Sequence, residues 1–245
     1  VTVSVLLGDC LAHMRNIPDA SVDAVVMDPP YCSGGFSEAG KSAATSQGVC
    51  SERRDEVPWF KGDNMTTAGL VWLLRAVAFE SCRVLRPSGS LMCFMDWRMV
   101  PNLVPALESS GLRYQNLVVW DKGAAALGNG FRATHEMIAH FTNGEPAYHS
   151  CQHGNVLRHK RIQSGEREHF AQKPVELLRD LLRTVSPPGG TVLDPFAGSG
   201  STLVAAASLG MNAIGFERDR GYFEVASRRV AEDGGAGLFG TAAVA

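Results

Sequence analysis

Two short runs of residues in this chain are built for chemistry. Asp28-Pro29-Pro30-Tyr31 follows an apolar stretch, and Asp194-Pro195-Phe196-Ala197-Gly198-Ser199-Gly200-Ser201-Thr202 follows another. In the first run the Asp28 carboxylate and the Pro29 carbonyl are hydrogen-bond acceptors. Proline restricts φ and has no N–H, so Pro29 and Pro30 give them a stiff frame. Acceptors of this kind suit the N–H groups of a planar amine. Such an amine is a poor nucleophile until its nitrogen pyramidalises, and Tyr31 adds a face on which its ring can stack. In the second run Gly198 and Gly200 let the backbone approach a ligand, because no Cβ stands in the way. The helix that follows offers unpaired N–H groups and a partial positive charge. Glu217 comes 17 residues after Gly200, near the spacing of about 20 at which an acid meets ribose hydroxyls.

The elements that must position these residues are legible in the pattern. Strands are expected over 3–9, 22–28, 90–95, 117–120, 136–141, 191–194 and 212–217. Helices are expected over 11–16, 67–85, 99–110, 173–185, 201–209 and 219–232. Strands alternating with helices imply an α/β, doubly wound, mainly parallel sheet, seven-stranded and Rossmann-like, with an antiparallel strand pair at one edge. Ligands of such sheets bind outside the carboxyl ends of the strands. Asp9, Asp28, Asp194 and Glu217 all fall at expected carboxyl ends, so four acids should surround one crevice.

Composition narrows the class. The chain has 245 residues, 45% hydrophobic and 20% charged, which fits one globular domain. No apolar run reaches transmembrane length, and a cytoplasmic protein without a membrane partner is expected. The six cysteines form no C-x-x-C pair, so reduced structural thiols are expected. A net charge of −2 excludes a chain that is basic throughout, and any footprint for nucleic acid must be local. His135-Glu136 does not continue into a H-E-x-x-H zinc pattern, because Ala139 stands at the last position. His149, Cys151 and His153 alternate without a fourth ligand. No metal is expected.

The two motifs and their order resemble the DNA amino-methyltransferases, which methylate adenine-N6 or cytosine-N4 with S-adenosylmethionine (SAM). The D-P-P-Y motif precedes D-P-F-A-G-S-G, as in the permuted β-type group of that family. The resemblance covers the chain from Asp9 to about Val230. It implies catalysis by Asp28, Pro29, Pro30 and Tyr31 on a base flipped out of double-stranded DNA. It implies SAM contacts by Asp9, Cys10, Asp28, Lys173, Pro174, Asp194, Pro195, Phe196, Ala197, Gly198, Ser199, Gly200, Ser201, Thr202 and Glu217. Asp9 also reads as a helix N-cap, and Lys173 as a solvated helix start. The leading aspartate of D-P-P-Y leans towards adenine. The alternatives are a cytosine-N4 enzyme and a catalytically silent SAM- or DNA-binding regulator.

One methyltransferase domain is expected over 1–233, with a mobile loop at 32–66 and a flexible tail at 234–245. The family places its target-recognition region at 145–168, where Arg158, Lys160 and Arg161 form a basic cluster suited to phosphates. Arg53 and Arg54 in the long loop, and Arg132 ahead of the strand at 136–141, are further candidates for DNA contact. His135-Glu136 reads as structural. The resemblance further admits a homodimer and a cognate restriction endonuclease, in a bacterial or phage restriction-modification setting.

Overall fold

The computed structural model describes residues 1–30, 66–124, 130–151, 153–162 and 172–233. The expected loop at 32–66 lies outside these residues except for Thr66, as do Tyr31, Arg53, Arg54 and the tail at 234–245.

Eight strands form one sheet. They are β1 (Val3–Leu7), β2 (Val22–Met27), β3 (Leu85–Met95), β4 (Arg113–Asp121), β5 (His135–Thr142), β6 (Val156–Arg158), β7 (Thr191–Asp194) and β8 (Asn212–Glu217). Their spatial order is β1-β8-β7-β2-β3-β5-β4-β6. β5 alone runs against its neighbours β3 and β4. The sheet therefore has one strand more than the seven expected. The addition is β6, which pairs in parallel with β4 beyond the antiparallel strands. Three residues are too few to show a period, so the sequence gives no sign of it.

Alternation decides which side chains meet which helices. In β2, Val25 and Met27 point to one core and Ala24 and Val26 to the other. In β3, Leu91, Cys93 and Met95 alternate with Met92 and Phe94 in the same way. Both strands are covered on both faces, as central parallel strands are. Helices α1 (Cys10–Met14), α2 (Thr67–Val84) and α3 (Val100–Glu108) cover the first face. Helices α4 (Val175–Val185), α5 (Ser201–Ser208) and α6 (Arg220–Asp233) cover the second. In α4 the apolar stripe is Leu177, Leu178, Leu181, Leu182 and Val185, all buried. At about 1.5–3 kcal/mol for each buried side chain of this size, that stripe pins the helix to the sheet.

This topology creates one special crevice. The chain leaves β2 through α2 towards β3 on one side. It leaves β7 through α5 towards β8 on the other side and the opposite face. β2 and β7 are themselves neighbours. The strand order reverses between them, and ligands of open α/β sheets bind at such a switch point.

Candidate active site

Four acids stand at the carboxyl ends of four adjacent strands. Asp28 follows the last residue of β2, Asp194 ends β7, Glu217 ends β8, and Asp9 lies two residues beyond β1. A fifth, Asp96, follows β3. The convergence expected from the sequence is present, and it is centred on the switch point.

At β2 the Asp28 carboxylate is met by Lys173, whose Nζ lies 2.6 Å from Asp28 Oδ2. Pro29 is buried and Pro30 half-buried. The Lys173 side chain is only 8% exposed, and its ammonium sits 5.1 Å from the centre of the Phe94 ring. Lys173 is thus no solvated helix start. Helix α4 begins at Val175, and Pro174 is its extended N-cap rather than part of its first turn. Just ahead of α4, Lys173 places its ammonium against the Asp28 carboxylate at the end of β2.

Lys173 reaches a second carboxylate. Glu136 Oε2 lies 3.4 Å from Lys173 Nζ, and Glu136 Oε1 accepts a hydrogen bond from Lys122 Nζ at 2.8 Å. Burial pushes the Glu136 carboxyl up, but Lys173 and Lys122 together outweigh it and hold it below its ordinary value. Burial likewise works against the charge on Lys173, yet Asp28 and Glu136 prevail and its pKa is raised. Both groups are charged at neutral pH.

The glycine turn is fixed from several sides. Asp194 is buried, and its Oδ1 accepts from the Phe196 N–H at 3.0 Å. Burial pushes its pKa up to about 7, against a bond from Thr202 and with help from the charges of Asp28 and Glu217. Gly198 and Gly200 have φ of +53° and +80°, in the region that costs an L-residue about 1–2 kcal/mol. A Cβ on Gly200 would come 3.1 Å from that of Ala226 in α6. The buried Arg229 donates to Ser199 O and Oγ and to Ser201 Oγ, tying the turn to α6. Glu217 Oε2 accepts from the Gly198 N–H at 2.9 Å, and Oε1 from the Asp219 N–H at 2.7 Å. Burial raises its pKa. Pro195, Phe196 and Ala197 complete the turn, with Ala197 buried.

Asp9 caps α1, its Oδ1 accepting from the Ala12 N–H at 3.1 Å. The cap is compatible with a ligand, because a carboxylate has further lone pairs. Cys10 is buried beside it, and burial and then Asp9 push the thiol up to about 12, so it is not a thiolate.

The basic candidates lie on the surface. Arg132, Arg158, Lys160 and Arg161 are exposed. Arg158 Nε is 3.1 Å from Asp121 Oδ2. Its neighbour His159 bonds Asp180 of α4 at 2.9 Å, and His153 lies 3.6 Å from the same carboxylate. Of the His149-Cys151-His153 triplet, His153 is turned to α4.

Sequence reasoning missed Glu136 and Lys122 as members of the site, and also Arg229 and Asp96. Asp96 carried the same signal as the other acids, a strand followed by aspartate. It is held low by the Arg98 guanidinium, which binds both of its oxygens. Arg229 carried no signal, because a basic residue on a late helix turn normally faces water.

Residues 22–228 match a family described as DNA methylase (N6_N4_Mtase). YubD of Escherichia coli (strain K12) is 31% identical over 224 residues, covering 91% of this chain and 88% of that protein. The Type II methyltransferase M.HinfI of Haemophilus influenzae is 27% identical over 255 residues, covering 94% and 68%. Among solved structures, the M1.HpyAVI–SAM complex aligns with a TM-score of 0.70 at 20% identity, over 94% of this chain and 99% of that one. The PvuII DNA methyltransferase, cytosine-N4-specific, aligns with a TM-score of 0.73 at 17% identity, over 94% and 86%. The two structures show a shared fold.

Proposed function

The chain belongs to this DNA methylase family, and from that premise we propose that it transfers a methyl group from SAM to the N6 amine of adenine in double-stranded DNA. The observation that carries the reading is the placement of Asp28 and the glycine turn on either side of one switch point.

The residues of the turn suit SAM. Glu217 and Asp9 supply carboxylates for hydroxyl and amine donors. The backbone N–H groups at the start of α5 suit a carboxylate. Asp194, with a pKa pushed up to about 7 by burial, gains from a cationic group such as an α-ammonium. The family resemblance adds Lys173, Pro174, Cys10 and Phe196 to this cofactor set. SAM supplies an electrophilic methyl group on a positively charged sulfur.

The protein's part is orientation and electrostatic fit. A base must leave the duplex to reach the crevice. Tyr31 offers it a stacking face. Asp28 and the Pro29 carbonyl accept the N–H groups of its amine, which favours the pyramidal nitrogen that attacks the methyl carbon. As the new N–C bond forms the S–C bond breaks, and the surplus proton on nitrogen leaves to Asp28 or water. Arg132, Arg158, Lys160 and Arg161, with Arg53 and Arg54, would meet phosphates.

Adenine is favoured by the aspartate that leads D-P-P-Y. The rival base is cytosine at N4, favoured by the fold shared with the PvuII enzyme. The Type II name of M.HinfI supports a restriction-modification role and a cytoplasmic setting. Nucleoside mass spectrometry on DNA from a methylation-deficient host expressing the chain tests the reading. N6-methyladenine supports it, and N4-methylcytosine overturns the choice of base. No modified base, from protein that binds SAM, favours a silent binder.

A further inference from the structure

Glu136 and Lys122 take no part in the transfer step above, yet they are joined to it. Lys122 Nζ, Glu136, Lys173 Nζ and Asp28 form one row, with contacts of 2.8, 3.4 and 2.6 Å. The charges alternate along it. All four side chains are largely enclosed, from 8% exposed for Lys173 to 22% for Asp28. The backbone fixes the row as well. β5 is antiparallel to β3, so its first residues lie at the catalytic end of the sheet. The Lys122 N–H donates to Thr134 O at 2.8 Å, locking the two arms together.

We propose that Glu136 is a positioning residue for Asp28: by sharing the Lys173 ammonium it fixes the Asp28 carboxylate and leaves it more negative than a one-to-one ion pair would. This rests on the methyltransferase reading. An isolated Asp28–Lys173 pair would be neutral overall and a weak acceptor for an amine N–H. Two carboxylates around one ammonium sum to −1. Lys122 restores neutrality by pairing with the other oxygen of Glu136. Stability alone gives no reason for such a row, because removing charges from water is costly and apolar packing serves as well. Asp194 from β7 and Cys93 from β3 also sense the charge of Asp28.

The test is the single-turnover rate of methyl transfer to unmethylated plasmid DNA at saturating SAM, alongside the SAM dissociation constant. For Glu136→Gln the rate should fall about tenfold, as when the outer partner of a reacting group is lost. SAM affinity should stay within about threefold, and Glu136→Asp, which keeps the charge, should recover part of the rate. A loss of packing at the site would lower the rate and SAM affinity together and would not be rescued by the shorter acid. Should Glu136→Gln fail to fold, Glu136→Asp decides by the same comparison of rate with SAM affinity against the unaltered protein. A Glu136→Gln rate within about threefold of the unaltered protein, or a loss of SAM affinity as large as the loss of rate, overturns the proposal. An unaltered protein that transfers nothing to DNA overturns the methyltransferase reading instead.

Discussion

Lys173 and Asp28 are 145 residues apart in the chain and form an ion pair of 2.6 Å. One precedes the helix that leads to the cofactor half, and the other ends the strand of the catalytic half. The pair ties the end of β2 to the start of α4, the helix that precedes β7. In the proposed reaction Asp28 would be both the acceptor for the target amine and the partner of this buried ammonium. Glu136 lies against the same ammonium, so removing Asp28 leaves Lys173 with a counter-charge. An unpaired buried ammonium would otherwise cost about 3–5 kcal/mol.

Glu217 accepts two backbone N–H groups while facing the crevice. Glu217→Ala should weaken SAM binding about 10- to 100-fold, the loss of one charge-assisted hydrogen bond plus slackening of the turn. Isothermal calorimetry checks this. An unchanged dissociation constant would remove Glu217 from the cofactor site.

Asp194 sets a pH dependence. Its folded pKa is raised to about 7 from an ordinary value of 3.8. The folded protein therefore keeps a proton that the unfolded chain has released between those values, and stability falls as the pH rises from about 4 through 7. Asp194→Asn retains an acceptor for the Phe196 N–H and removes the titrating group. It should flatten the dependence of Tm on pH and raise Tm at pH 8, by about 2–4 °C for each kcal/mol recovered. It should also weaken SAM binding. Thermal denaturation without ligand from about pH 5 to 8.5 decides, and a variant that tracks the parent throughout contradicts the account.

Lys160 and Arg161 are exposed, whereas Arg158 is already paired with Asp121. Replacing Lys160 and Arg161 by alanine should reduce the slope of log affinity for duplex DNA against log salt by about 1.8, or 0.9 for each phosphate contact. Arg158→Ala should change it less. A slope for the double variant equal to that of the unaltered protein would place DNA elsewhere.

The strands at the switch point were legible because their residues are apolar on both faces and end in an acid. β7 and β8 match the expected bounds, and β2 ends one residue early. β6 was not legible, because three residues carry no period and its strand pairing is set by β4. The edges of β4 and β5 also ran longer than expected, since cross-strand bonding extends pairing over the largely exposed Arg113–Asn116. Within the site, the motif residues were legible from their own types. Glu136 was not, because its role depends on two lysines brought from 14 and 37 positions away in sequence. Lys173 gave a partial sign. A basic residue at a helix start is disfavoured by the helix dipole, and here it has turned from the helix into the crevice.

In the proposed reaction Asp28 acts chiefly on the target amine. The most direct test of this role is tritium transfer from labelled SAM to unmethylated DNA by the unaltered chain and by Asp28→Ala, with SAM binding measured on both. In Asp28→Ala, SAM affinity should stay within a few-fold and transfer should fall by at least about 10²-fold, as when a transition-state hydrogen bond is removed. An Asp28→Ala protein that kept most of its transfer would contradict it.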